Sequence, residues 1–174
     1  VFDLLAVPEP LRAMLERRLE ALAAQGGAPA GEAGAFDVIA SSLPLVWACS
    51  DFVAESCLRD RYMLSWLAAH GRLHEAATSE WLAADFAASG EPAVAVATVD
   101  DAAFMDAIRR FRRRQLVRIA WRDLASLTDV ETVLRELTLL ADVCIAAASE
   151  YATRSLRERY GVPRGQDGRE LGLM

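Results

Sequence analysis

Apolar residues along this chain recur at intervals of three and four, the period of helices buried on one side. Leu11, Met14, Leu15, Leu19 and Leu22 trace the first stripe. Pro8 and Pro10 can begin that helix but not sit inside it, and Gly26-Gly27 ends it. The small, Gly-rich stretch from Ala28 to Ala35 has no period and reads as a flexible linker, so the first helix is expected to dock loosely. Ser42 as N-cap and Pro44 in the first turn then open a helix carrying Leu43, Val46, Trp47, Ser50, Val53, Ala54 and Cys57. A short helix follows from about Arg61 to Ala69, closed by Gly71. Another runs from about Ser79 to Ala88 and stops at Gly90 before Pro92. Ala93 to Val99 alternates weakly and reads as a connector.

Two long helices dominate the rest. Asp100 caps one that runs to about Ala125, with Phe104, Ile108, Phe111 and Ile119 on one face. Thr128 and Glu131 form a capping box for the next. Its stripe of Val130, Leu134, Leu137, Ala141, Cys144, Ala148, Tyr151 and Ser155 continues to Tyr160, where Gly161 and Pro163 stop it. At ~1.5 Å per residue this helix exceeds ~40 Å, so a further partner is expected to pack on it. Arg164 to Glu170 is a polar turn, and the apolar Leu171 to Met174 reads as a boundary inside a larger protein. The predicted fold is all-α: a helical bundle with two long antiparallel C-terminal helices. The expected organisation is an N-terminal helix at 1–25, a flexible linker at 26–35, a helical bundle at 36–163 and a turn with an apolar end at 164–174.

Composition refines this picture. The 174 residues suit one domain with a real core. Hydrophobic residues make up 53% and mean hydropathy is +0.16, which fits an Ala-rich bundle or a piece that has lost a partner surface. All 19 basic residues are Arg, a bias best explained by GC-rich coding rather than by chemistry. The net charge of −6 argues against bulk binding to nucleic acid or to an anionic membrane. Cys49, Cys57 and Cys144 have apolar neighbours and no metal spacing, so they read as core residues in a reducing compartment. No apolar run reaches the ~20 residues of a membrane span, and the expected location is cytoplasmic.

Candidate chemistry is sparse. Arg110, Arg114, Arg118 and Arg122, four apart, form one stripe of forked guanidinium donors suited to carboxylates or phosphates. A solvated face with local acidic partners is the plainer alternative. His70 and His74 sit at a helix end and in a loop; Asp51 is a possible partner for an Arg; Asp100 and Asp101 suit a helix start. The chain has no Gly-rich phosphate loop, nucleophile elbow or Asp-x-Asp pair.

Phe111-Arg-x-Arg-Gln-Leu-Val-Arg-Ile-Ala-Trp-Arg-Asp-Leu124 resembles a signature of the bifunctional glutamine synthetase adenylyltransferase/adenylyl-removing enzymes. Ser50-Asp51-Phe52-Val53-Ala54, Leu134-Arg-Glu-Leu137 with Ala141-Asp142, and Tyr160-Gly161-x-Pro163 agree with that family in order. The resemblance covers residues 36 to 174 and looks more like the AMP-removing half. It implies a parent enzyme with Mg²⁺ and ATP or orthophosphate as cofactors, and with glutamine synthetase and the PII signal protein as partners. It also implies that 164–174 holds the start of a strand leading into an α/β nucleotidyltransferase domain beyond residue 174, which holds the catalytic groups and leaves this piece as an inert scaffold. Arg110, Arg114, Arg118, Arg122, Trp121 and Asp51 become candidates for the interface with that domain, and Arg118→Ala is then expected to leave this chain's own melting almost unchanged. Gln115 departs from the usual Glu, which favours a scaffold role for this helix. The competing readings are a stand-alone helical sensor or protein-interaction module and, last, an Arg-rich RNA-binding helix.

Overall fold

The computed structural model describes residues 7–27, 35–69, 72–88 and 101–171. Among these residues it has seven helices and no strand: α1 (Glu9–Ala24), α2 (Ala35–Cys49), α3 (Asp51–Arg59), α4 (Met63–Ala68), α5 (Ser79–Ala88), α6 (Asp101–Leu124) and α7 (Val130–Tyr160). The all-α expectation holds. Most of the linker, the Gly71 and Gly90 stops, the Ala93–Val99 connector and the Asp100 cap lie outside the described residues. The chain divides into two compact units, and α6 and α7 each contribute to both.

Unit 1 comprises Val1–Ala77 and Arg113–Leu137. Its core gathers Leu15 and Leu22 of α1, Ile39, Leu43 and Trp47 of α2, Val53 and Cys57 of α3, Leu64 and Leu67 of α4, and Val117 and Trp121 of α6. The first helix is therefore not loosely docked. Leu15 is fully buried, and Arg18 donates to the Trp47 carbonyl and, at 2.6 Å, to Asp51 Oδ1.

The helix expected from Ser42 through Cys57 is in fact two, bent by 119°. Ser50 is extended and its side chain accepts from the Val53 N–H, so it ends one helix and caps the next. Ser42 and Pro44 lie inside α2, which begins at Ala35. Proline there deprives the helix of one donor, and Ser42 Oγ donates back to the Val38 carbonyl one turn earlier.

Unit 2 comprises Thr78–Arg112 and Thr138–Met174. Phe86 of α5 packs on Phe111 of α6 with ring centroids 4.9 Å apart. Phe104 stacks on Tyr151 at 4.0 Å, and the Tyr151 hydroxyl donates to Asp101 at 2.7 Å. The start of α6 thus meets a point far along α7, while in unit 1 the end of α6 meets the beginning of α7 at Glu136. Within each unit the stretches of α6 and α7 run antiparallel.

Between them Ser126 takes the left-handed conformation (φ 56°), and the Leu127 N–H reaches back to the Arg122 carbonyl. The N-cap of α7 is Asp129 rather than Thr128: its carboxylate accepts from the Thr132 N–H at 2.7 Å. The inward stripe of α7 also differs from the expected one. Glu136 and Leu140 are buried, whereas Val130 and Leu134 are exposed. After α7, Arg164 and Glu170 form an isolated bridge that folds the turn back on itself, and residues 172–174 lie outside the described residues.

Candidate functional site

The most ordered polar constellation lies inside unit 1. Arg118 and Arg122 sit one turn apart on α6, a spacing that points both guanidiniums the same way. Across from them α7 presents Glu136, which is completely buried. Arg118 Nη2 donates to Glu136 Oε1 at 2.9 Å, and Arg122 Nη1 donates to Oε2 at 2.7 Å. One carboxylate thus bridges two cations.

The remaining donors hold the backbone between α4 and α5. Arg118 Nε donates to the Arg72 carbonyl at 2.8 Å and its Nη2 to the Glu75 carbonyl at 2.9 Å. Arg122 Nε donates to the Leu73 carbonyl at 3.1 Å. The Ala77 N–H closes the ring by donating to Glu136 Oε1. Three carbonyls and one N–H of the 72–77 stretch of that connection are fixed by three side chains. The outward side of that connection carries the exposed His74 and Glu75.

Electrostatics explain why the parts occur together. Burial pushes the Arg118 pKa down, and the hydrogen bond and charge of Glu136 oppose that shift. Guanidinium stays charged through such a perturbation, which lysine would do less reliably. Two cations and one anion leave a net positive charge in the interior, and the inward-turned carbonyl dipoles disperse it. A buried pair adds little stability when intact, but losing one partner is severe, ~3–5 kcal/mol.

The predicted site residues therefore divide. Arg118 and Arg122 were expected at an interface with another domain; both are nearly fully buried and turned inward, because Glu136 and the 72–77 backbone claim their donors. Arg114 is half-buried and pairs with Asp60 at 3.2 Å. Arg110 is exposed. Trp121 is fully buried beside the network and donates its indole N–H to Ser42 Oγ at 2.9 Å. Asp51 is well exposed on α3 and meets Arg18, away from the network. Gln115 is buried in α6. Of the cysteines, Cys57 is buried and Cys144 half-buried, but Cys49 is exposed and not a core residue.

Sequence reasoning missed Glu136. A signal was present: the buried face of α7 follows Val133, Glu136, Leu140, Val143 and Ala147, and a lone acid on an otherwise apolar stripe opposite two arginines marks a buried partner. No group of three or more His, Cys, Asp or Glu side chains that could hold a metal comes together among the described residues. The network's one carboxylate, already held by two arginines, does not fit a Mg²⁺ site. The three side chains that build the network, Arg118, Arg122 and Glu136, are shut off from solvent.

Residues 40–174 match the glutamate-ammonia ligase adenylyltransferase family. A bifunctional glutamine synthetase adenylyltransferase/adenylyl-removing enzyme from Thioalkalivibrio sulfidiphilus is 35% identical over 168 residues, 97% of this chain and 16% of that protein. A protein of the same name from Pseudomonas aeruginosa is 38% identical over 121 residues, covering 70% of this chain and 12% of its own length. A third, from Nitrosococcus oceani, is 34% identical over 124 residues, covering 71% of this chain and 12% of its own. The chain thus spans less than one fifth of the relatives it matches, and the first of these similarities reaches into the region of α1.

Proposed function

The chain belongs to the glutamate-ammonia ligase adenylyltransferase family, and from that premise we propose that it is a helical scaffold of an enzyme that attaches AMP to glutamine synthetase and removes it. The observation that carries this reading is the segment Phe111–Leu124. It resembles the family signature, and its Arg118 and Arg122 build the buried network with Glu136. Two arginines of the signature turned inward in this way serve to hold a shape. We assign the scaffold to the AMP-removing half, in keeping with Ala120-Trp121 in the signature.

In this proposal Mg²⁺, orthophosphate and ATP bind to other parts of the polypeptide, where the metal offsets charge on the transferring phosphoryl group. Glutamine synthetase is the substrate and PII a regulator. The setting is the cytoplasm. The chain's own residues contribute order: Arg118, Arg122 and Glu136 fix the 72–77 connection and, with it, the register of α6 against α7 in unit 1.

Two assays test the reading. The isolated chain, given adenylylated glutamine synthetase, Mg²⁺ and orthophosphate, should release no ADP above background. In the longer polypeptide, Glu136→Ala should slow AMP removal while AMP attachment continues. Turnover by the isolated chain, or loss of attachment with removal intact, would overturn it.

A further inference from the structure

In unit 2 the last turns of α7 and the turn that follows expose an unusual amount of apolar surface. Leu156 is 50% exposed, Tyr160 70% and Leu171 53%, with Val162 beside them. The turn is itself well ordered by hydrogen bonds: the Leu171 N–H donates to the Pro163 carbonyl, and the Gly165 N–H to the Arg169 carbonyl. Leu156, Tyr160, Pro163 and Leu171 thereby surround a mainly apolar hollow of about 300 Å³, with Arg157 at its edge. Scattered exposed apolar residues are ordinary. Four around one preformed hollow are the mark of an interface.

We infer that this hollow is the seat of another segment of the same polypeptide, lying outside residues 1–174. The inference rests on the proposed scaffold role and names the surface through which the scaffold acts. Three observations favour this occupant. The chain spans 16% of its Thioalkalivibrio relative, so the longer protein has ample chain to cover the hollow. The surface is apolar and aromatic, as in permanent interfaces, whereas surfaces that meet a partner transiently are no more apolar than average. A covalently attached occupant also binds at high effective concentration, which suits a small hollow with too little area to hold a free protein. The arginine stripe of α6 is a poorer seat, because Arg118 and Arg122 are already engaged within unit 1.

Oxidative footprinting of the full-length protein tests this without reference to activity. Tyr160 and Tyr62 are matched probes: they are 70% and 60% exposed, and each ring carries the guanidinium of the preceding arginine. Each is compared with itself in urea-unfolded protein. Because an occupied interface centre excludes water, Tyr160 should be oxidised at least ~fivefold more slowly in the folded protein, at every protein concentration. Equal rates for folded and unfolded Tyr160 would overturn the inference. So would protection that vanishes on dilution, which would make the occupant a second copy, or protection that needs added glutamine synthetase. Should AMP removal proceed normally while Tyr160 stays reactive, this inference fails and the functional reading stands. Should Tyr160 be protected in a protein without AMP chemistry, the reverse holds.

Discussion

Arg118 of α6 donates to Glu136 of α7 at 2.9 Å with both side chains essentially out of solvent, and Arg122 reaches the other oxygen of the same carboxylate. A single acid therefore bridges two cations. That asymmetry decides what substitutions do.

Truncating either end of the pair should unfold much of unit 1. Arg118→Ala removes the donors to Glu136 and to the Arg72 and Glu75 carbonyls. Stranding one member of a buried pair costs ~3–5 kcal/mol, a large share of a small domain's stability. Urea denaturation should show Arg118→Ala and Glu136→Ala destabilised to that degree in this chain alone. From the sequence, with the partner of Arg118 placed in another domain, almost no change is expected in this chain alone; the buried contacts of Arg118 lead to a large loss instead. A midpoint within error of wild type would return Arg118 to a solvated or intermolecular role.

How much of this was legible depends on the interaction concerned. The extents of α5, α6 and α7 follow from a period that local chemistry sets, and the structure keeps them within a residue or so of the expected ends. The break at Ser50 was hidden because Val46, Val53 and Cys57 keep a helical spacing across it; the chain turns by 119°, yet both faces reach the same core. Pro44 misled for a related reason, since proline marks a first turn far more often than the interior it occupies in α2. The stripe of α7 was read from apolar identity alone, which placed Val130 and Leu134 inside and overlooked Glu136. Only tertiary pairing with Arg118 and Arg122 makes an acid a core residue.

The thiols should separate cleanly by reactivity. Cys57 is buried and its pKa is pushed up to about 12, first by desolvation, against the lowering influence of the Trp47 indole and with a further push from the charge of Asp60. The reactive thiolate is thus suppressed at neutral pH. With a disulfide reagent at pH 8, the exposed Cys49 should react promptly, Cys144 more slowly, and Cys57 only on unfolding. Because the folded pKa lies above the unfolded value, the stability held by Cys57 is complete below ~8.5 and declines as pH rises from there towards 12. Cys57→Ala should flatten that alkaline decline. Rapid labelling of Cys57 in native protein would contradict its place in the core.

Acid stability should depend in part on Asp129. Its carboxylate caps α7 through the Thr132 N–H, and this backbone hydrogen bond, foremost among the causes, holds its pKa below the usual carboxylate value. A depressed carboxylate stabilises the fold above the unfolded pKa of ~3.9 and loses that contribution as pH falls through the folded value. Asp129→Asn keeps a capping oxygen but cannot titrate. Its melting temperature should fall less than that of wild type between pH 5 and pH 2. Parallel curves would mean that the cap is not formed in solution.

Replacing the whole network should distinguish a charge cluster from a backbone clamp. For an ion cluster whose members satisfy only one another, exchange for well-packed apolar residues is often neutral or stabilising by ~1–4 kcal/mol. Here the same three side chains also satisfy the carbonyls of Arg72, Leu73 and Glu75 and the N–H of Ala77. The triple variant Arg118→Met, Arg122→Met, Glu136→Leu removes every charge but leaves those four backbone groups without partners. Each unsatisfied buried group costs ~1–3 kcal/mol, so the deficit should outweigh the relief of desolvation. We expect the triple variant to unfold at lower urea than wild type. Hydrogen exchange should place the loosening at residues 72–77, with α2 and α3 nearly as protected as before. If the triple variant instead matches or exceeds wild-type stability, the guanidiniums serve only their carboxylate, and the signature segment would not be the clamp that the scaffold role requires.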